Sequence, residues 1–313
     1  RTRFVFDTET SVHAGTNRKK HLMGLQSMPL YDHSENPDYI PRVGAVHDLC
    51  GYGKCSLGVA IPVISAAGCD VCPLPTGLFS SHTAFPVWHM LDTTDMMKPY
   101  IDAWEKVDIF LDAIYSGFLG APEQVDSIQR LYALFPNALR IVDPVMGDHG
   151  KVYPTYTKEL CDAMTNLADG ADILTPNLTE ASIILGTEYT GQNVSVEEVE
   201  STINMLRNRG AKNVIIKGVD REDGFLRNYV AGRNTPLTEF VVEKLPVMLH
   251  GTGDLFCSCV TAAIMAEKSL DTAVDFAGKF VHDAMIVTLE QPNFMSRGIS
   301  FEPLLGKVAE LLK

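Results

Sequence analysis

Two short apolar runs, Leu139-Arg-Ile-Val-Asp143 and Ala171-Asp-Ile-Leu-Thr175, end in the same way, with one polar residue followed by proline. Proline cannot donate to a ladder and drives the residue before it out of helical space, so each run is a short strand stopped at a polar tip. Near-continuous apolar strands are buried on both faces, as in a parallel sheet covered by helices. In open α/β sheets ligands bind outside the carboxyl ends of the strands, so Asp143 and Thr175 are expected to face a common crevice.

The rest of the chain agrees from Val43 onward. Residues 43–47 read as a strand, 55–67 as a helix stopped by Gly68, and 69–74 as the next strand, which together form a βαβ unit. Helices are expected over 91–107 and 121–135, and strands over 108–115 and, ending at Lys217, over 214–217. Residues 225–231 and 240–243 read as a late antiparallel pair, followed by helices over 252–267, 270–289 and 301–312. Residues 1–41 lack apolar periodicity, carry Arg18-Lys19-Lys20, and read as an N-terminal extension to a domain over 42–313.

With 26 basic against 39 acidic side chains, the net charge of −13 argues against a nucleic-acid or anionic-membrane partner. No run of 18 apolar residues appears and Arg1-Thr2-Arg3-Phe4 leads into Asp7 and Glu9, so a cytoplasmic location is expected. Seven cysteines in such a chain fit reduced thiols. Cys50, Cys55, Cys69 and Cys72 superficially resemble a zinc ribbon, but the last two lie three apart on a strand and face opposite sides.

The chemistry concentrates in His250-Gly251-Thr252-Gly253-Asp254. Two glycines let backbone approach a ligand, and the apolar run behind them reads as a buried helix whose first-turn N–H groups form an anion site. A carboxylate would repel a phosphate there unless it takes a proton from an attacking hydroxyl, which points to phosphoryl transfer. A glycine turn capping a helix is the plainer alternative. Asn177 and Glu180, one helical turn apart, suit oxygen ligation of Mg²⁺ and equally suit a capping box. Asp143 and Asp148 leave a strand together; as turn formers, aspartates beside proline and glycine have a plainer role too. Lys217 at its strand end suits neutralising phosphate charge in transfer, and equally suits a plain solvated lysine. The loop Asp48-Leu-Cys-Gly-Tyr-Gly-Lys-Cys-Ser56 fails Walker A spacing, because Cys55 stands where a hydroxyl should hold magnesium, and fails the dinucleotide fingerprint at Ser56.

Taken in order, His47-Asp48-Leu49-x-Gly51-x-Gly53-Lys54-Cys55-Ser56, Ser80-Ser81-His82-Thr83, Ser116-Gly-Phe-Leu-Gly120, Asp143-Pro-Val-Met-Gly-Asp148, Thr175-Pro-Asn-x-x-Glu180 and Gly251-Thr-Gly-Asp254 resemble the ribokinase-like vitamin kinases, and among them the pyridoxal and pyridoxamine kinases. The resemblance covers about residues 43 to 290. It implies a three-layer αβα sandwich with a mainly parallel central sheet and late antiparallel edge strands. It implies ATP-dependent phosphorylation of the 5'-hydroxymethyl group of a B6 vitamer, with Asp254 as base and Gly251, Thr252, Gly253 and Lys217 around the moving phosphoryl group. By the same resemblance Asp143, Asp148, Thr175, Asn177 and Glu180 organise ATP and Mg²⁺, the ion through Asp143 and Glu180, directly or through water. Asp48, Phe79, Thr83, Phe118 and His250 match the positions around the pyridine ring, and Tyr153 covers the phosphates. A homodimer is implied as well.

Two departures matter. Asp48 replaces a serine found in many pyridoxal kinases, and its carboxylate would favour a charged amine such as pyridoxamine. Lys217 takes a strand end where several relatives have a neutral side chain beside a monovalent cation, which leaves the need for potassium open. The nearest alternative is a hydroxymethylpyrimidine or hydroxymethylpyrimidine-phosphate kinase, whose first loop carries a Ser-Asp-Ser-Gly-Gly-type pattern. A non-catalytic nucleotide- or vitamin-binding protein is the alternative of another class.

Overall fold

A computed structural model describes residues 29–36, 38–233, 235–292 and 294–313. Most of the expected N-terminal extension, including Arg18-Lys19-Lys20, lies outside the described residues. Strands are β1 Arg42–Cys50, β2 Asp70–Phe79, β3 Met90–Asp92, β4 Ala113–Ser116, β5 Leu139–Val142, β6 Gly147–Asp148, β7 Lys151–Val152, β8 Ile173–Leu174, β9 Asn213–Asp220, β10 Phe225–Ala231 and β11 Thr238–Glu243. Helices are α1 Leu57–Ala66, α2 Thr94–Lys106, α3 Glu123–Leu134, α4 Lys158–Ala168, α5 Leu178–Leu185, α6 Val196–Asn208, α7 Thr252–Met265, α8 Leu270–Leu289, α9 Phe294–Arg297 and α10 Leu305–Ala309.

Nine strands form one sheet in the order β11-β10-β9-β8-β5-β4-β1-β2-β3, and β6-β7 form a separate hairpin. The centre is parallel from β2 through β9. β10 and β11 continue it antiparallel, as expected from the late strands. The apolar runs bury both faces by alternation: Tyr115, Ile141, Ile173 and Ile215 pack into one core layer with α1, α7 and α8. Their neighbours Ile114, Val142, Leu174 and Val214 pack into the other with α2 to α6. The fold is therefore the three-layer α/β sandwich with antiparallel edges. Helix α7 is apolar all round and is buried from Leu255 to Met265, which fixes its N-terminus against the sheet.

Several boundaries differ from the sequence reading, and the strands expected over 43–47 and 214–217 run on to Cys50 and Asp220. The helix expected over 91–107 begins at Thr94, because Met90–Asp92 pair antiparallel with Gly77–Phe79 as the sheet's other edge. The strand expected over 69–74 runs on to Phe79 along the lengthened β1. The strand expected over 108–115 is shorter and shifted, Ala113–Ser116. The helix expected over 301–312 is broken into a 3-10 turn at Glu302–Leu304, the short α10 and a second 3-10 turn, with Pro303 in the opening turn. Tyr31 and Tyr39 hydroxyls donate to the Asp112 carboxylate at 3.0 and 2.9 Å, tying residues before β1 to the amino edge of the sheet. Among the described residues no helix is long and apolar enough to cross a membrane, and the seven cysteines are free thiols.

Candidate active site

The strand tips are stepped side by side. The backbone N–H of Asp143 donates to Ser116, that of Thr175 to Val142 and that of Lys217 to Pro176, at 2.9, 3.0 and 3.0 Å. Their side chains converge beyond the carboxyl edge. Thr175 Oγ1 donates to Asp143 Oδ1 at 3.0 Å, and the Lys217 ammonium pairs with the same oxygen and lies 4.0 Å from Glu180 Oε2. Burial alone would lower the Lys217 pKa, but the charges of Asp143 and Glu180 outweigh it and hold the ammonium above its ordinary range. Burial drives the Glu180 carboxyl up, and Lys217 pulls it back. Asp143 is fully buried, and its Oδ2 has no hydrogen-bond partner among the described residues. A buried carboxylate oxygen left open in this way fits an added cation or its waters.

The capping box allowed by the 177–180 spacing is present. Asn177 Oδ1 accepts from the Glu180 N–H at 2.9 Å and Glu180 Oε2 from the Asn177 N–H at 2.8 Å. The Asn177 amide also donates to Gly147 at 2.9 Å, so this residue anchors the β6-β7 hairpin over the site. Glu180 does both jobs, since it caps α5 and faces Lys217. Asp148 stands apart from this cluster: its Oδ1 accepts from the His149 N–H at 2.8 Å, which makes it a turn former in the hairpin. Tyr153, following the hairpin, sits in the field of Glu180, Asp148, Lys217 and Asp254.

Opposite the carboxylates stands the N-terminus of α7. Gly251 has φ 83°, and a Cβ there would lie 2.0 Å from the Lys54 carbonyl oxygen, so only glycine lets the 50–56 loop close against the helix. The helix has no side-chain cap, which leaves its first-turn donors to a ligand. A Cβ on Gly253 would lie 3.7 Å from Lys217 Nζ, so the ammonium adjoins that turn. Asp254, in the same turn, is half-buried. Burial pushes its carboxyl up to about 6, the Asp143 charge adds to this, and the Ser56 backbone amide and Lys217 oppose it.

Beyond the ends of β2 and β4 the wall is aromatic. Phe79 and Phe118 meet edge to face at 5.7 Å, Phe118 meets Tyr156 at 5.6 Å, and Trp88 lies 5.8 Å from Phe79. Asp48 stands at the bulge where β1 slips register against β2, which aims its side chain beyond the sheet. It is 5% exposed, and burial pushes its carboxyl up to about 7 against the Ser56 hydroxyl, with the Asp254 charge adding. His250 is exposed at the rim and lies 4.9 Å from His82, whose Nε2 is 3.0 Å from the Ser296 carbonyl. Thr83 is exposed on the turn after His82 and is not drawn into the wall.

The structure thus brings together Asp143, Thr175, Glu180, Lys217, Gly251, Thr252, Gly253 and Asp254, with Asp48, Phe79 and Phe118 alongside. Sequence reasoning missed Trp88, Tyr156 and the role of Ser56. An aromatic surplus at 79–88 could have flagged Trp88; the other two depend on long-range packing.

The phosphomethylpyrimidine kinase family model matches residues 84–296. Pyridoxal kinase PdxY of Pasteurella multocida is 31% identical over 300 residues, covering 88% of this chain and 91% of that protein. The pyridoxine/pyridoxal/pyridoxamine kinase of Bordetella avium is 30% identical over 252 residues, covering 76% of this chain and 82% of that one. Among solved structures, a Bacteroides thetaiotaomicron protein described as a phosphomethylpyrimidine kinase, crystallised with pyridoxal, superposes with TM-score 0.82 at 35% identity. That match covers 86% of this chain and 96% of the other. Pyridoxal kinase from Lactobacillus plantarum, at 24% identity and TM-score 0.81, shares the fold.

Proposed function

The chain belongs to the phosphomethylpyrimidine kinase family, and on that footing we propose that it phosphorylates the 5'-hydroxymethyl group of a B6 vitamer at the expense of ATP. The observation that carries this reading is Asp254, a carboxylate with a raised pKa in the uncapped first turn of α7, beside a fixed ammonium. The named relatives and the pyridoxal-containing neighbour support the vitamer as acceptor.

The hydroxyl of the acceptor lies against Asp254, which accepts its proton as the oxygen bonds to the γ-phosphorus and the bond to the β-γ bridging oxygen breaks, releasing ADP. Charge gathering on the transferred group meets the first-turn amides of Thr252 and Gly253 and the Lys217 ammonium, dipoles and charge already fixed before reaction. Phe79 and Phe118 give the planar ring an apolar seat, and Asp48 and His250 are its polar neighbours. Asp143, through its open Oδ2, and Glu180 would hold Mg²⁺, in part through water. Among the described residues no three His, Cys, Asp or Glu side chains form a metal cluster. Two carboxylates completed by waters and phosphate oxygens suit magnesium, which when bound neutralises and aligns the phosphates. Thr175 orients Asp143, and Asn177 and Asp148 hold the hairpin above. A cytoplasmic homodimer belongs to the same reading.

The family model favours a second acceptor, hydroxymethylpyrimidine or its phosphate. A coupled ADP-release assay with Mg-ATP and pyridoxal, pyridoxamine, pyridoxine or the pyrimidine separates the two. Turnover of a vitamer at higher kcat/KM than the pyrimidine is expected. Turnover of the pyrimidine alone replaces the acceptor, and binding of a vitamer without ADP release removes the kinase reading.

A further inference from the structure

Two segments leave the acceptor wall, residues 51–56 beyond β1 and 80–89 beyond β2, and neither belongs to a helix or strand. Backbone bonds make them one unit. The Gly51 N–H donates to the Phe79 carbonyl at 2.8 Å, the Tyr52 N–H to Ser80 at 3.1 Å, and the His82 N–H back to Tyr52 at 3.2 Å.

A third segment, distant in sequence, ties this unit to the turn that carries Asp254. The Lys54 N–H donates to the Arg297 carbonyl at 3.0 Å, and the Ile299 N–H donates to the His250 carbonyl at 3.1 Å. Gly298 stands between these two junctions. Its φ is 85°, and a Cβ there would lie 2.8 Å from the His250 carbonyl oxygen and 3.3 Å from that of Lys54, so glycine alone lets both close at once. A side chain adds a third tie: the Ala84 N–H donates to His82 Nδ1 at 3.3 Å, so Nε2 carries the ring proton and donates to the Ser296 carbonyl at 3.0 Å. The segment is itself anchored. Ile299 and Phe301 are buried in the core layer of α7 and α8, and the Ser300 N–H donates to the Thr288 hydroxyl on α8 at 2.7 Å.

The rim repeats the pattern in its side chains. The Arg297 guanidinium lies 4.8 Å from the Tyr52 ring, Tyr52 lies 5.4 Å from Phe85, Phe85 lies 4.5 Å from His82, and His82 lies 4.9 Å from His250. Four segments thus meet in one continuous stack. Tyr52 is 48% exposed, so its place is set by these neighbours and not by burial in the core. Loops without regular structure lose freedom when a ligand orders them, and a scaffold that orders them beforehand removes that loss from the binding step.

We propose that Arg297 and Gly298 are positioning residues that hold the acceptor loops against α7 before the vitamer binds, so that vitamer affinity depends on them and nucleotide affinity does not. This rests on the B6 kinase reading. The two ligands separate because α7 is fixed by its own burial from Leu255 to Met265, so a weakened brace frees the loops and leaves the phosphate turn in place.

The test measures KM for Mg-ATP and for whichever of pyridoxal, pyridoxamine and pyridoxine wild type turns over best, in Gly298→Ala, Arg297→Ala, Tyr52→Ala and the Arg297→Ala/Tyr52→Ala double variant. Gly298→Ala is expected to raise the vitamer KM about tenfold with the ATP KM within about twofold of wild type. Arg297→Ala is expected to raise the vitamer KM about threefold to fivefold with Tm unmoved, and to add nothing in the Tyr52→Ala background. Arg297 is exposed, so its variant folds and decides the matter if Gly298→Ala does not. A vitamer KM that stays at the wild-type value, a vitamer and an ATP KM that rise together, or an Arg297→Ala effect undiminished without Tyr52 overturns the inference and leaves the kinase reading standing. A wild type inert toward every vitamer removes the reading itself, and this inference with it.

Discussion

Replacing Lys217 by methionine keeps most of the stem and deletes the ammonium. The Lys217 side chain is 11% exposed, and its ammonium is paired with the fully buried Asp143 and lies 4.0 Å from Glu180. Its loss leaves two carboxylates in one closed space without their cation, and breaking a buried pair from one side costs about 3–5 kcal/mol. With an unfolding entropy of about 2.1 cal/mol/K per residue, a chain of this size should lose about 5–8 °C in Tm. Removing fixed charge from the transferring group should also cost about 10² to 10³ in kcat. Differential scanning calorimetry and the coupled ADP-release assay read these two losses separately. Adding Asp143→Asn should restore most of the Tm without restoring turnover, because the unpaired charge is gone while the cation is still missing. On the expectation that the Lys217 ammonium takes the place of a monovalent cation, exchanging sodium for potassium should leave the wild-type rate nearly unchanged and should raise the rate of Lys217→Met. A wild-type rate that rises about tenfold on the exchange, or a variant with unmoved Tm and near wild-type turnover, refutes the reasoning.

Gly251→Ala forces a Cβ to within 2.0 Å of the Lys54 carbonyl at φ 83°, so the 50–56 loop must part from α7; kcat should fall by at least about 10², read as ADP release, with a Tm loss of several degrees by calorimetry. Phe118→Ala opens the aromatic wall and should raise the vitamer KM about tenfold while leaving the ATP KM unchanged in steady-state titrations. Asp48 titrates near 7 in the fold against an ordinary value near 4, so its folded form binds the proton more tightly. The stability this proton supplies is fully present below about pH 4 and is lost as pH rises through about 7. Asp48→Asn should therefore stabilise the protein by about 2–4 kcal/mol above neutral pH and by little near pH 4, as measured by urea unfolding at both values.

The strand tips were legible because a parallel strand announces itself by an apolar run and its exit by proline; Asp143 and Thr175 stand where that pattern puts them, and Lys217 ends a third such run. The α7 turn was legible for a similar reason, since Gly251 and Gly253 before an apolar run leave few other conformations. Asn177 and Glu180 carry a spacing shared by caps and ligands, and the geometry shows the cap in both while leaving Glu180 beside Lys217. The edge strand at Met90–Asp92 was not legible, because a three-residue strand takes its state from its partner β2, not from its own pattern. Asp148 was legible as either a turn former or a site carboxylate, and its bond to the His149 amide in the tight β6-β7 hairpin realises the turn. Ser56 entered the reading only as part of a motif and inside a helix expected over 55–67, whereas it stands outside α1 as its N-cap with φ 50°.

The account turns on Asp254 as the group that takes the acceptor's proton, and the pH dependence of kcat in wild type and Asp254→Asn tests it most directly. With its carboxyl near 6, wild type should show an acid limb close to that pH. The isosteric variant should lose about 10² to 10⁴ in kcat and the limb with it, with little change in the ATP KM. An Asp254→Asn enzyme that turns over within about tenfold of wild type and keeps the same acid limb would contradict it.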